Sequence, residues 1–377
     1  MRVWLREDLM LVKRYIGMII LVFVFIAAGA NNVLAQGALS WVTIKNNTLI
    51  KDKKPFKFVG ANAVNLVFYD DWGLDTQKAI LQARENNISV LRLYLNWGWG
   101  KIEDFDKIIE LASKNGIQLI LVLTDCCCSS DYATEKKYFQ VHAPFCNITN
   151  EQSVRAFKQL IKQIIQRKNS VNNRVYRDEP AILAWEIANE LEYWRFTDKE
   201  VRKWIDEIAG YIKSLDKNHP VTIGISTDNL ENVRDEDLSR MFGLSTLDFF
   251  SFHFYPPAQE TDFSKKALLR NAQRISSLTK KFLALGKPVV MAELGFSSSV
   301  KLNEKMRDDS QTADFYISNF KEYMDQAFYA GCSGVMFWGW GIPEGKYVPM
   351  WWSKEDHSVS NKKFCDFLRN YNIPPER

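Results

Sequence analysis

Eight short apolar runs punctuate the chain, at residues 56–64, 88–95, 118–125, 182–190, 221–226, 247–255, 288–295 and 334–340. Each has strand length, and amphipathic stretches separate them. In 151–168, Val154, Phe157, Leu160, Ile161, Ile164 and Ile165 recur at the spacing of one helix face. In 197–216, Val201, Trp204, Ile205, Ile208 and Ile212 form a second stripe, and Thr197 with Glu200 has the spacing of a capping box. Residues 265–285 and 310–330 read the same way, with Gly286 and Gly331 as stops. Eight strands with intervening helices predict an α/β fold of a single domain, a closed parallel (β/α)8 TIM barrel. An open doubly wound sheet is the alternative. It would call for a Gly-rich phosphate-binding turn, and the sequence has none.

Residues 36–55 are expected to form a small flap or hairpin closing the bottom of the barrel. The longest insertion, 126–150, follows the third run and should border the mouth, because such barrels work at the C-terminal ends of their strands. No linker rich in Pro, Gly or Ser breaks the chain, so 36–377 is taken as one domain. Residues 1–35 read as an export signal. Lys13 and Arg14 precede an apolar stretch from Tyr15 to Ala30, and Val33-Leu34-Ala35 supplies a small-residue cleavage pattern before Gln36. That stretch falls short of the roughly 20 residues of a spanning helix; an uncleaved membrane anchor is the alternative. Removing 1–35 takes away four basic and two acidic side chains, so the net charge falls from +4 to +2. Secretion, extracellular or periplasmic, would permit disulfides among the six cysteines. Cys126, Cys127 and Cys128 are consecutive and share a loop with Cys146, so a bond from one of the three to Cys146 would close that loop. Cys332 and Cys365 are left to pair or to stay free.

Composition narrows the function. A hydrophobic content of 46% supports a real core. No basic run interleaves with aromatics, which argues against nucleic acid as a partner. No cysteine or histidine spacing suits a structural zinc site, and neither metal nor cofactor is expected. After signal cleavage no stable membrane partner is expected either. Tryptophan is unusually frequent: of 12, Trp97, Trp99, Trp194, Trp351 and Trp352 fall in loops. Trp97, Trp99 and Trp194 are candidates to offer a flat apolar surface on which a ligand ring stacks.

Chemistry gathers at the ends of the runs. The second run gives Arg92, the fourth Asn189-Glu190, the sixth His253 and Tyr255, the seventh Glu293 and the eighth Trp338. In a parallel barrel these ends converge on one face. A carboxylate ending an apolar strand costs free energy unless it is paired or hydrogen-bonded. Two of them, Glu190 and Glu293, point to cleavage of a glycosidic bond by paired carboxyl groups. Glu186 shares the strand face of Glu190 by the period of two and reads as an interior partner for Arg92. Asp125 and Asp131 read as polar loop residues, and the cysteine triplet as structural.

The string Tyr176-Arg-Asp-Glu-Pro-Ala-Ile-Leu-Ala-Trp-Glu-Ile-Ala-Asn189-Glu190 resembles the fourth-strand signature of glycoside hydrolase family 5, in clan A, and within it the endo-β-1,4-mannanase branch. Phe58-Val-Gly-Ala-Asn62, Leu91-Arg92, His253-Phe-Tyr255, Glu293-Leu-Gly-Phe and Val335-Met-Phe-Trp338 match further signatures in the same order, and the resemblance covers most of residues 40–370. It implies a retaining double displacement with Glu190 as acid/base and Glu293 as nucleophile. It implies that Asn189 bonds the sugar 2-hydroxyl, that His253 sets the proton affinity of Glu190, and that Trp338 floors the sugar at the cleavage point. Arg92 and Tyr255 would hold Glu293 ionised by lowering its pKa. Two departures stand out. Family cellulases usually carry a His at the end of strand three, where this chain reads Val122-Leu-Thr-Asp125-Cys, which disfavours a cellulase. Mannanases commonly follow the acid/base Glu with Pro-Arg, where this chain has Leu191-Glu192-Tyr193-Trp194. The implied partner is a β-linked oligo- or polysaccharide, cut at β-1,4-mannosidic linkages. An exo-β-mannosidase, an endo-β-glucanase and a transglycosylase stay open on the same residues.

Overall fold

A computed structural model describes residues 39–64, 66–68, 75–95, 101–126, 145–227, 230, 233–256, 264–295, 309–340 and 362–376. Ser40–Arg377 form one compact unit. It opens with β1 (Thr43–Lys45), β2 (Thr48–Lys51) and β3 (Lys54–Pro55), a small antiparallel sheet. The barrel strands follow: β4 (Phe58–Asn62), β5 (Val90–Tyr94), β6 (Gln118–Val122), β7 (Ile182–Glu186), β8 (Val221–Thr222), β9 (Gly224–Ser226), β10 (Phe250–Phe254), β11 (Val289–Leu294) and β12 (Gly334–Trp338). They pair in parallel in the order β8-β7-β6-β5-β4-β12-β11-β10-β9. β8 and β9 are halves of one run interrupted at Ile223, and β8 pairs with β7 while β9 pairs with β10. The sheet therefore closes through the fifth strand, and the fold is a (β/α)8 barrel. The described helices between and after the strands are α1 (Thr76–Glu85), α2 (Ile102–Asn115), α3 (Glu151–Ile165), α4 (Asp198–Leu215), α5 (Asp235–Phe242), α6 (Lys265–Leu283), α7 (Asp309–Tyr329) and α8 (Lys362–Asn370). Among the described residues no helix is long and apolar enough to cross a membrane.

Strand alternation sorts the apolar side chains into two layers. Phe58, Val90, Ile120, Ala184, Phe249, Val290 and Met336 fill the inside of the barrel. Leu91, Leu121, Trp185, Met291 and Phe337 face outward and pack with helix residues such as Ile109, Ile161, Trp204 and Phe282. Val42 and Leu49 belong to the inner cluster, so the expected flap closes the barrel as three short strands. The outer face of β7 is pinned as well. Trp185 Nε1 donates to Asp216 Oδ2 at 2.7 Å, and His219 Nδ1 lies 2.6 Å from the same oxygen.

The expected capping box is present at α4: Thr197 N–H donates to Glu200 Oε2 at 2.8 Å and Glu200 N–H to Thr197 Oγ1 at 3.3 Å. Gly286 and Gly331 follow α6 and α7 at φ 79° and 107°, left-handed positions that favour glycine. The strands are shorter than the apolar runs. β7 ends at Glu186, so Asn189 and Glu190 lie beyond the strand rather than on it. Cys126 bonds Cys146, while Cys332 and Cys365 are free thiols. Residues 1–35, Trp97, Trp99, Cys127, Cys128, Asp131, Trp351 and Trp352 lie outside the described residues.

Candidate active site

Arg92, at the centre of β5, is fully buried and organises the mouth of the barrel. Its Nε donates to Glu186 Oε2 at 2.9 Å and its Nη2 to Glu186 Oε1 at 2.5 Å, the two-pronged geometry that suits guanidinium and carboxylate. Nη2 also donates to Asn189 Oδ1 at 2.9 Å. Nη1 serves Asn62 Oδ1 at 2.8 Å, Tyr94 Oη at 2.8 Å and Glu293 Oε1 at 2.6 Å. Every N–H of the guanidinium is engaged. Burial alone would favour its neutral form, but Glu186 above all, then Tyr94 and Glu293, hold its pKa well above the usual value. Asn62 is clamped in turn, because its Nδ2 donates to the Ala292 and Phe337 carbonyls at 2.8 and 3.3 Å and so ties β4 to β11 and β12.

Glu293 reaches this centre through a break in the ladder. Against β10, Phe252 pairs with Met291 and His253 with Glu293, so Ala292 is an extra residue. Against β12, Met291 pairs with Val335 and Leu294 with Phe337. The bulge lets Ala292 join the inner apolar cluster while Glu293 beside it also faces inward. Glu293 Oε1 accepts from Arg92 and, at 3.1 Å, from Tyr94 Oη; Oε2 accepts from Tyr255 Oη at 2.7 Å. The cationic and hydroxyl neighbours lead one to expect a lowered pKa. The balance falls the other way: burial raises the Glu293 carboxyl above its usual value, Glu190 adds to this, and Arg92 and Tyr255 offset only part of it.

Glu190 completes the arrangement from a backbone turn at φ 41°, a left-handed conformation uncommon for a residue with a side chain. Its Oε1 lies 2.7 Å from His253 Nδ1, and His253 Nδ1 lies 3.5 Å from Glu293 Oε1. Burial pushes the His253 pKa down to about 4, so the imidazole is neutral near pH 7. Its Nε2 has no hydrogen-bond partner among the described residues. The tautomer that orphans no buried N–H therefore donates from Nδ1 to Glu190. One oxygen from each glutamate and a ring nitrogen of His253 all lie within 4.8 Å of one another. This trio also has the spacing of metal ligands, although the carboxylates and the ring nitrogen already engage one another.

Trp338 is half-buried at the end of β12 and stands edge-on to Tyr94 at 6.4 Å between ring centroids. Trp194 is 49% exposed on a short turn, Tyr193–Arg195, four residues past Glu190. Glu192 accepts from Arg195 Nη1 at 2.7 Å and Tyr193 packs on Phe242, which together fix the turn that stands where Pro-Arg was expected. Arg92, Asn189, Glu190, His253, Tyr255 and Glu293 are thus brought together as the sequence suggests, with Glu186 as the partner of Arg92. Sequence reasoning gives no role to Tyr94, although it shares a strand face with Arg92 at a spacing of two, nor to Asn62, which enters only as the end of a motif.

A closed (β/α)8 barrel with two carboxyl groups facing each other at the C-terminal mouth of its strands defines the class. Residues 46–361 match the family model described as "GH family 5 beta-mannosidase-like", and the chain belongs to that family. Among similar proteins, a probable mannan endo-1,4-beta-mannosidase C of Aspergillus terreus is 26% identical over 314 residues, 68% of this chain and 73% of the relative. A probable mannan endo-1,4-beta-mannosidase A-2 of the same fungus is 28% identical over 180 residues, 44% of this chain, and the match spans 43% of that relative's length. A solved family 5 mannosidase from Rhizomucor miehei shares the fold, with a TM-score of 0.67 at 18% identity over 89% of this chain and 96% of that one.

Proposed function

We propose that this chain is a secreted retaining β-glycosidase that hydrolyses β-1,4-mannosidic linkages in mannan-type polysaccharides by double displacement. The observation that carries the reading is the closeness of Glu190 and Glu293: one carboxyl oxygen of each lies within 4.8 Å of the other, which favours the shorter of two known separations. Retaining enzymes keep their carboxyl groups about 5–5.5 Å apart, whereas inverting enzymes leave about 6.5–9.5 Å for a water. In the first step Glu293 attacks the anomeric carbon while Glu190 gives its proton to the leaving oxygen. In the second, Glu190 takes a proton from water, and that water displaces Glu293 from the sugar. Oε2 is the better placed oxygen for attack, since Oε1 already accepts from both Arg92 and Tyr94 while Oε2 accepts from Tyr255 alone.

The remaining roles follow the same reading. Asn189 bonds the 2-hydroxyl, His253 tunes Glu190, and Trp338 lies under the sugar. Trp97, Trp99 and Trp194 are candidate stacking surfaces for flanking sugars. The relatives' names favour endo attack on mannan. The name of the Rhizomucor structure favours a mannosidase as the second reading. Secretion is supported by the apolar stretch before Ala35 and by the Cys126–Cys146 bond, since disulfides persist in oxidising compartments.

Product analysis on mannan, glucomannan, xylan, cellulose and aryl glycosides tests the proposal. Internal cuts in mannan, with the β-configuration kept at the first-formed reducing end, are expected. Turnover of cellulose without mannan, or an inverted product, rejects it. Release of mannose alone from chain ends selects the exo reading. A mature N-terminus at Gln36 is the expected sign of export.

A further inference from the structure

Beyond the last regular pairs of β6 and β7, the two chains stay together for one more step. Asn189 donates its backbone N–H to the Thr124 carbonyl at 2.8 Å, and Cys126 donates to the Asn189 carbonyl at 2.9 Å. Asp125 and Asn189 thereby pair as an isolated parallel bridge. Inside that bridge, Asn189 Nδ2 donates to Asp125 Oδ1 at 2.9 Å, while Asn189 Oδ1 accepts from Arg92 Nη2 at 2.9 Å. Arginine only donates and an ionised carboxylate only accepts, so the two neighbours define which end of the amide is which. One Nδ2 hydrogen is committed to Asp125, and the second has no hydrogen-bond partner among the described residues. Cys126 follows Asp125 directly, and its bond to Cys146 fastens this point to the segment leading into α3. By sequence Asp125 reads as a polar loop residue; its surroundings make it a fixed one.

We propose that Asp125 is a positioning residue for Asn189, anchored by the Cys126–Cys146 bond. A single hydrogen bond at the amide oxygen lets the amide plane rock. A second, at the nitrogen, stops it with the free Nδ2 hydrogen aimed at the sugar 2-hydroxyl. The inference rests on the glycosidase reading, and it gives the third strand a role through Asp125 where family cellulases carry a histidine. Small misorientations matter here because the 2-hydroxyl contact strengthens in the transition state.

The test uses D125A, D125N, N189A and the D125A/N189A pair, each assayed on an aryl β-mannoside and on the matching 2-deoxy glycoside, which has no 2-hydroxyl. D125A should lower kcat/KM on the mannoside by about 10- to 100-fold, mostly in kcat, the scale of a misplaced contact. On the 2-deoxy substrate the loss should be within about twofold, and in the N189A background D125A should add no more than that, because coupled residues are not additive. D125N should recover most of the loss, since its amide oxygen can still accept from Asn189. Equal losses on both substrates, or additive losses in the double variant, overturn the proposal. A crystal structure of D125A decides the question without turnover: the Asn189 amide plane should rotate, and an unmoved amide rejects the role. If the wild-type protein cleaves neither these glycosides nor mannan, the glycosidase reading fails while the crystallographic result still judges Asp125.

Discussion

Gly224→Ala probes how tightly the charged centre is packed. A methyl group at 224 would overlap Glu186 Oε1 and lie 3.2 Å from both Arg92 Nη2 and the Ala188 carbonyl oxygen. A carboxylate on a free side chain would swing aside at little cost. Glu186 is not free, because both its oxygens are bound to Arg92, whose other N–H groups are already taken. Relief therefore costs one charge-assisted hydrogen bond, about 1.5–3 kcal/mol, and overpacking of about 1–3 kcal/mol. The expected loss of about 2.5–6 kcal/mol is a large share of a typical domain stability of about 5–15 kcal/mol. Gly210 is the internal control: it sits inside α4 with nothing within 4 Å of an added methyl. Gly210→Ala should stabilise by about 0.5–1 kcal/mol, the ordinary gain from removing a helical glycine. Urea unfolding followed by tryptophan fluorescence measures both. Because Arg92 also holds Glu293, Gly224→Ala should cost about 100-fold in kcat, as a shift of about 1 Å in a reacting group does. If the two alanine variants unfold within about 0.5 kcal/mol of each other, the centre is softer than its hydrogen bonds imply and the reasoning fails.

Four further outcomes are expected. Glu293→Ala should abolish turnover of every glycoside, whereas Glu190→Ala should spare the first step on substrates with good leaving groups, which need little proton donation; equal rate losses by Glu190→Ala on activated and unactivated glycosides would reject the acid role. The acidic limb of the pH profile should lie above the usual carboxylate range, because Glu293 must be ionised to attack and burial raises its pKa; Tyr255→Phe removes a hydrogen bond that favours the ionised form, so the limb should move further up, and a downward move would contradict this. Cys146→Ser opens a link between residues 20 apart and should cost about 3 kcal/mol of unfolding free energy in a denaturant titration. Trp194→Ala should weaken oligosaccharide substrates more than short aryl glycosides by about 0.5–1.5 kcal/mol, as for aromatic pairs; an equal loss on both would assign Trp194 to packing.

The period of two and the helix stripes were enough to read the barrel, because burial on alternating strand faces leaves a mark in residue order. They were enough for Arg92 and Glu186 as well, which obey that alternation. They could not foretell how Glu293 faces inward, since strict alternation from Val290 and Ala292 turns it outward and only the extra residue in β11 turns it back. Nor could they show that Glu190 leaves the strand and adopts φ 41°, a conformation that residue type disfavours and the surrounding fold imposes. Asp125 went unrecognised because its partner lies 64 residues away and nothing local marks the pair. The pKa of Glu293 misled for a related reason: its neighbours can be guessed from motifs, but its depth cannot.

The charge count around Arg92 has a consequence for what can enter the mouth. Among the described residues at the centre, one cation lies against two carboxylates, Glu186 and Glu293, while His253 stays neutral. The buried carboxylates thus outnumber the buried cation, and charges at such depth are only weakly screened. A neutral hexose experiences little of their field at rest, but gains as positive character grows at its anomeric carbon. A uronic acid at the same position would carry its own carboxylate into that field and be repelled. If the chain acts as proposed, the arrangement around Arg92 should therefore also disfavour acidic glycans, and equal turnover of matched neutral and uronic acid glycosides would contradict this.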